Sequence, residues 1–210
     1  MTSTPGSPST PLAHSLPQRV IRILQTPKTE WQVIDHEETS VAALYTGYII
    51  PLAAIGPIAR LIGMTVFGLS IPFIGTYRMP IGTALTMAVV QFVLSLVGVY
   101  VLGLIIDALA PSFGGQKNSM QALKVAAYAS TASWVVGIFG LVPMLGILAI
   151  LGLYSLYLIY LGLPVLMRAP ADKALPYSAA VIVSAIVLYF VLGMITSRFI
   201  TYPTAGFPVR

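Results

Sequence analysis

One uninterrupted apolar stretch constrains this chain more than any other feature. From residue 125 to residue 167 the sequence contains no Asp, Glu, Lys or Arg. About 20 apolar residues cross the hydrocarbon core of a bilayer, so this stretch is long enough for two membrane-spanning helices. Only 8% of all residues are charged and 57% are hydrophobic, whereas about 25% of residues are charged in soluble domains. The composition therefore predicts an integral membrane protein.

Other uncharged runs predict the remaining spans. The predicted spans are residues 39–59, residues 79–106, two helices within 125–167 that turn at 140–146 around Pro143, and residues 174–197. Residues 61–77 are barely long enough to cross and contain Pro72 and Gly75, so we interpret them as the end of the first helix plus a connecting loop. A sixth span there is the alternative. The predicted fold class is an all-α integral membrane protein with five transmembrane helices.

The segment before the first span has the pattern of short amphipathic helices. Apolar residues follow one helical face, Gln and Arg take the other, and Pro27 suits the start of a second helix. A basic amphipathic helix followed by a tryptophan is typical of a segment at the lipid surface. The interfacial candidates are Leu16, Val20, Ile23, Leu24 and Trp31. Packing of this face on the protein's own loops explains the pattern equally well.

These patterns divide the chain into four parts. Residues 1–15 are rich in Pro, Ser and Thr and are expected to be a disordered tail, with no cleavable signal peptide. Residues 16–38 form the amphipathic segment, residues 39–200 the transmembrane domain, and residues 201–210 a short tail.

The positive charges predict the orientation of the five spans. Cytoplasmic loops carry an excess of Lys and Arg. One side collects Arg19, Arg22, Lys28, Lys117, Lys124, Arg168 and Lys173, and the other collects Arg60, Arg78, Arg198 and Arg210. We therefore expect a cytoplasmic N-terminus, an external C-terminus, and contact with anionic lipids on the cytoplasmic side.

The sequence lacks the residues of a common enzyme active site. It has no cysteine, and its two histidines are His14 and His36. No His-Glu-x-x-His run is present, and no second intramembrane acid accompanies Asp107. We predict a protein that is not an enzyme, with no metal, no cofactor and no nucleic-acid partner.

Asp107 is the most unusual acid, because it lies at the edge of a predicted span. An ionised side chain at membrane depth is a functional candidate. Alternatively, Asp107 sits in water at a helix end, pairs with Lys117 or Lys124, or caps the following turn. We favour this second interpretation.

The residues after Asp107 predict a shaped loop. Pro111 stops the helix, Gly114 and Gly115 turn the chain, and Asn118 or Ser119 begins the next helix. Lysines 117 and 124 are then expected at the lipid head groups. A glycine pair before a helix N-terminus could also hold a phosphate, but an ordinary connection is the favoured interpretation.

A hydroxyl-rich patch at residues 128–133 interrupts an apolar span. Its candidate functional residues are Tyr128, Ser130 and Thr131, and Tyr154 and Tyr157 follow at helical spacing further along. Hydroxyl groups can bond between helices at low cost. We favour packing over a pore lining, although the patch and the tyrosines could together line a cavity.

Several segments together resemble the bacterial branch of the Yip1 domain family. They are TPKTEW, TGYIIPLAAIGPIA, DALAPSFGG, ALKVAAYASTASWVVGIFGLVPMLG and GLYSLYLIYLGLPVLMRAPADKALPY, in this order between about residues 26 and 200. The resemblance implies five transmembrane helices and a cytoplasmic N-terminus. It also implies a place in a bacterial inner membrane.

The eukaryotic relatives in this family bind Rab-type GTPases and act in vesicle traffic. They carry an Asp-Leu-Tyr-Gly-Pro motif that is absent here, and Ala127-Tyr128 stands where they have Gly-Tyr. Ala132 stands where a proline is expected. The resemblance therefore implies the fold more than a particular activity.

Two functions follow from the sequence. The first is a non-enzymatic multi-pass membrane protein that organises membrane or recruits protein partners, or a second copy of itself. The alternative is a small transporter or channel with a polar cavity around Asp107 and the hydroxyl patch. A cavity reaching Asp107 would favour transport, and a tightly packed bundle would favour the first function.

Overall fold

A computed structural model describes residues 15–71 and 75–198 of the chain. The predicted tail at residues 201–210 and all but the last residue of the predicted tail at residues 1–15 lie outside the described residues.

Two short helices precede the bundle. Helix α1 is Leu16–Gln25 and helix α2 is Pro27–His36. Thr26 separates them with φ −130°, outside the helical range. Pro27 then starts α2. Proline is tolerated there because the N–H of the first helical residue has no partner within the helix. We call α1 and α2 together the helical cap.

Helix α3 is the first span, Val41–Phe67. Its start is capped by the Ser40 hydroxyl, which accepts from the backbone N–H of Ala43 at 3.1 Å. A π-helical turn at Tyr45–Ile49 precedes Pro51. Because a proline ring clashes with the carbonyl one turn earlier, widening the helix here lets the chain continue rather than stop. The span is therefore longer than residues 39–59.

A small antiparallel hairpin follows α3. Strand β1 is Leu69–Ile71 and strand β2 is Gly75–Tyr77, with Leu69 opposite Tyr77. Gly68 ends α3 with φ +71°, a left-handed conformation that glycine adopts without penalty. The described part of 61–77 thus completes the first helix and then turns back, as the five-span interpretation expects.

Four more long helices complete the bundle. Helix α4 is Ile81–Leu109 and continues as a 3₁₀ turn, Ala110–Phe113. Helices α5, α6 and α7 are Ser119–Leu141, Pro143–Leu166 and Ala171–Arg198. The last turns of α5, Gly137–Leu141, and the first part of α6, Pro143–Leu153, are 3₁₀-helical.

The five-span fold is confirmed for the described residues, in which five helices are long and apolar enough to cross a membrane. The turn within 125–167 falls at Val142, ahead of Pro143, as predicted. Helices α3 and α5 approach closely where glycines meet. A Cβ on Gly137 would lie 2.8 Å from the Cα of Gly56, so any larger side chain would separate the two helices.

The up-and-down connectivity gives the bundle two distinct ends. The cap end holds α1, α2, the loop between α4 and α5, and the connection between α6 and α7. The hairpin end holds β1, β2, the turn at Val142 and the last residue of α7, Arg198. The largest fully buried side chains include Trp31, Tyr177, Ile23 and Ile106, so the densest core lies toward the cap end.

Candidate functional site

The two cap helices fold against each other around a buried arginine. Arg19, on α1, is only 4% exposed. Its guanidinium donates to the carboxylate of Glu30 at 2.5 Å and to the carboxylate of Glu37, just beyond α2. The same guanidinium lies 5.8 Å from the ring centroid of Tyr128 on α5, which is within cation–π range. One side chain therefore links α1, α2 and the bundle.

A second ion pair joins the cap to the connection between α6 and α7. Arg168 donates to Asp35 Oδ2 at 2.8 Å, and the Asp35 side chain is 2% exposed. Gln121 donates from Nε2 to the backbone oxygen of Asp35 at 3.0 Å and to Oδ1 at 3.2 Å. Arg168 has φ 54°, the one positive φ among the described non-glycine residues. This conformation is disfavoured by about 1–2 kcal/mol, and the bond to Asp35 offsets part of that.

Lys124, on α5, also attaches α2 to the bundle. It is 3% exposed, and its Nζ donates to the backbone oxygens of Ile34 at 3.0 Å and Glu37 at 2.5 Å. These carbonyls belong to the C-terminal end of α2, where a cation also interacts favourably with the helix dipole. The expectation that Lys124 lies at the head groups is therefore wrong, because its ammonium caps a helix inside the protein.

These side chains form one charge-balanced cluster, which we call the ionic network. Its members are Arg19, Lys124 and Arg168 with Glu30, Asp35 and Glu37. Burial lowers the pKa of the Arg19 guanidinium, but the negative charges of Glu37 and Glu30 and the hydrogen bond to Glu37 outweigh burial and leave the pKa raised. Arg19 therefore stays charged. Buried ion pairs contribute less to net stability than to fixing one geometry.

The apolar face of α1 packs on the bundle. Ile23 and Trp31 are 0% exposed, and Leu16, Val20 and Leu24 pack against the same core. Trp31 lies directly against Gly162 of α6, where an added Cβ would be 2.8 Å from its Cζ2. Of the two interpretations of this face, the structure favours packing on the protein, and the contact is with helices rather than loops.

The hydroxyl patch is occupied by contacts within the protein. Thr131 donates its only hydroxyl proton to the Tyr128 carbonyl at 2.7 Å, so the Tyr48 hydroxyl donates to Thr131 Oγ1, also at 2.7 Å. Ser130 donates to the Ala126 carbonyl at 2.7 Å. The rings of Tyr48 and Tyr128 lie 4.6 Å apart, under Arg19. These bonds join α3 to α5 beneath the ionic network.

The loop between α4 and α5 is built around Asp107. Its Oδ1 accepts from the backbone N–H of Asn118 at 2.7 Å, and Asn118 in turn caps α5 by accepting from the N–H of Gln121. No salt bridge joins Asp107 to either neighbouring lysine within the described residues. The Asp107 carboxylate therefore accepts a backbone hydrogen bond that fixes the loop just before α5. This is a structural role, as the favoured interpretation of Asp107 expects.

The remaining loop candidates have packing or surface positions. Pro111 lies in the 3₁₀ turn after α4, and Gly114 adopts φ +73°. A Cβ on Gly115 would meet the Met167 carbonyl at 2.9 Å, so only glycine fits that close approach. Lys117 is exposed.

Two cavities in the described part of the bundle bear on the predicted transport site, and neither reaches Asp107. One of about 530 Å³ and one of about 780 Å³ are both lined by Arg60 and Gln91. Ser130 and Ser133 of the hydroxyl patch line the larger cavity, but Asp107 lines neither. Tyr154 and Tyr157 do not line either cavity. The Tyr154 hydroxyl donates to the Leu24 carbonyl at 3.0 Å, and Tyr157 is 41% exposed.

The acids of the ionic network were not among the residues singled out in the sequence. A signal was present, because four of the six acidic residues of the chain fall between positions 30 and 38. Such a concentration beside a basic helix indicates internal pairing. Among the described residues, no group of three or more His, Cys, Asp and Glu side chains could hold a metal ion.

The five long apolar helices define an integral, multi-pass membrane protein. A family model described as the Yip1 domain matches residues 21–194, from the middle of α1 almost to the end of α7. The chain therefore belongs to the Yip1 domain family. Comparisons with curated proteins and with solved structures gave no match.

Proposed function

We propose that this protein is a non-enzymatic membrane protein that recruits protein partners through the outer face of its helical cap. The observation that carries the proposal is the ionic network, which fixes α1 and α2 to the bundle by side chains from α5 and from the connection after α6. A fixed surface loses little conformational entropy on binding. The cap is therefore pre-organised for a partner.

The outer face of the cap is mostly polar and basic, and Ile21 is its one exposed large aliphatic side chain. The exposed residues of the cap are Pro17, Gln18, Ile21, Arg22, Gln25, Thr26, Lys28, Thr29, Gln32 and His36. Ile21 is 51% exposed although its helix is otherwise packed on the protein. A partner that matches this face would have an acidic surface, which the basic residues attract, and an apolar pocket, which Ile21 fills. The predicted cytoplasmic position of the cap would make this a cytoplasmic partner.

Recruitment is favoured over membrane remodelling by an inserted amphipathic helix. Insertion requires the apolar face of α1 to enter the interface, whereas Ile23 and its neighbours on that face contact the bundle. Transport is less favoured because a pathway would have to reach Asp107, whose Oδ1 instead accepts from Asn118.

The proposal is tested by site-specific photocrosslinking in native membranes, with the crosslinking residue at Gln18. The double variant Ile21→Asp and Arg22→Glu should abolish the wild-type adducts. The matched control Lys173→Glu changes an exposed lysine at the same end of the bundle but off the cap, and it should keep them. Adducts that persist in the cap variant, or their absence in the wild type, would contradict the proposal.

A further inference from the structure

An arginine without a partner among the described residues lies toward the hairpin end of the bundle, away from the ionic network. Arg60 is on α3, seven residues before the end of the span at Phe67, or about 10 Å inside it at 1.5 Å per residue. Its side chain is exposed. Within residues 15–71 and 75–198, no hydrogen bond or ion pair joins this side chain to another residue.

Among the described residues, no acidic side chain is placed to neutralise Arg60. The chain has six acidic residues. Three belong to the ionic network, Glu38 follows it in sequence, Asp107 lies near the end of α4, and Asp172 is in the first turn of α7, all at the cap end. The described part of the hairpin end therefore contains arginines and no acidic side chain. A cation at membrane depth is unfavourable without a partner, so an anion from outside the chain would stabilise Arg60 there.

The space next to Arg60 is suited to an amphiphile. Arg60 and Gln91 line both the 530 Å³ cavity and the 780 Å³ cavity, so the two cavities meet at these side chains. Gln91 also has no hydrogen-bond partner among the described residues. Most of the other lining residues are apolar, Met64 and Phe139 among them. Polar donors at the junction of two large apolar cavities fit a ligand with one anionic group and long hydrocarbon chains.

We propose that Arg60 and Gln91 bind the phosphate of an acidic phospholipid whose acyl chains occupy the two cavities. A guanidinium can donate two parallel hydrogen bonds to a phosphate, and the Gln91 amide can donate another. The flexible stem of Arg60 can carry its charge toward the head-group level, where lipid phosphates lie. The site is separate from the cap surface of the proposed function.

Native mass spectrometry of the detergent-solubilised full chain tests the proposal, with phosphatidylglycerol compared with phosphatidylcholine of the same acyl chains. The wild type should retain phosphatidylglycerol about tenfold more tightly. Arg60→Gln should lose this preference while unfolding at an unchanged temperature, since Arg60 makes no bond within the described chain. The matched control Arg78→Gln removes a positive charge at the hairpin end as well, but it should keep the preference for phosphatidylglycerol. Equal retention of both lipids, or a preference that survives Arg60→Gln, would overturn the proposal.

A second pair of variants tests the cavity without changing any charge. Gly146 lines both cavities, and a Cβ there would meet nothing within 4 Å. Gly146→Leu should therefore fill the acyl-chain space and reduce phosphatidylglycerol retention to the level of Arg60→Gln. Gly82→Leu adds the same side chain in open space outside the cavities and should have no effect. Full retention by Gly146→Leu would contradict occupation of the cavities, and displacement of the lipid by inorganic phosphate would show that the head group alone is bound.

Discussion

Arg19 of α1 and Glu30 of α2 form a 2.5 Å ion pair in which the two side chains are 5% and 2% exposed. The pair joins two helices whose sequences, taken alone, are typical of a membrane-surface segment. Because the guanidinium also reaches Glu37 and the ring of Tyr128, the cap is attached by charge as well as by apolar contact. The first predictions concern this attachment.

Replacing Arg19 alone should be strongly destabilising. In Arg19→Met the carboxylate of Glu30 stays buried without its cation, and breaking a buried pair from one side costs about 3–5 kcal/mol. Denaturant unfolding of the purified protein in detergent measures this loss. The double variant Arg19→Met and Glu30→Met removes both charges from the pair and should recover most of the stability, leaving Glu37, 24% exposed, in contact with water. A double variant as unstable as the single one would contradict the pairing.

Gly162→Ala should loosen the contact between α6 and the cap. The new Cβ would lie 2.8 Å from Cζ2 of Trp31, and overpacking of this kind costs about 1–3 kcal/mol. Gly193→Ala is the matched control, because its Cβ on α7 would meet nothing within 4 Å. That change should stabilise the helix by up to about 1 kcal/mol. Thermal unfolding compares the two, and equal stabilisation by both would show that Trp31 does not occupy the groove at Gly162.

Asp107→Asn should leave stability within about 0.5 kcal/mol. The asparagine keeps an Oδ1 acceptor for the backbone N–H of Asn118, the bond that Asp107 makes at 2.7 Å. Asp107→Ala removes the acceptor and should cost about 1 kcal/mol. The two variants are compared by thermal unfolding. A loss of partner crosslinking in Asp107→Asn with stability unchanged would instead assign the charge itself a functional role.

Opposite ends of the chain should be labelled from opposite sides of the membrane. The chain has no cysteine, so single substitutions provide unique labels without further changes. Lys28→Cys on the cap should react with a membrane-impermeant maleimide from the cytoplasmic side. Arg198→Cys at the end of α7 should react from the outside. Labelling of both from one side would contradict the five-span topology.

Much of the bundle could be predicted from the sequence because lipid exposure leaves a simple compositional signal. Uncharged runs locate the spans, Pro143 locates the turn between α5 and α6, and Asn118 has the side chain of a helix cap. Each of these features depends on residues close together in the chain. The loop around Asp107 was predictable for the same reason.

The candidate site was less predictable because its contacts are distant in sequence. Lys124 bonds to the carbonyl of Ile34, 90 positions away, and periodicity cannot show what covers a helix face. The amphipathic pattern of α1 is the same whether Ile23 enters lipid or a protein groove. Arg19 was assigned to the polar face, yet a long basic side chain can turn inward when acids are buried beside it.

Amide hydrogen exchange of the full chain in lipid nanodiscs tests the central claim most directly. If the ionic network fixes the cap to the bundle, amides of α1 and α2 should exchange as slowly in phosphatidylcholine as in phosphatidylglycerol. Arg19→Met should then speed their exchange at least about tenfold, while α4 is unaffected. Rapid exchange in phosphatidylcholine that slows only in phosphatidylglycerol would contradict the account, because the cap would then be held by anionic lipid and not by the protein.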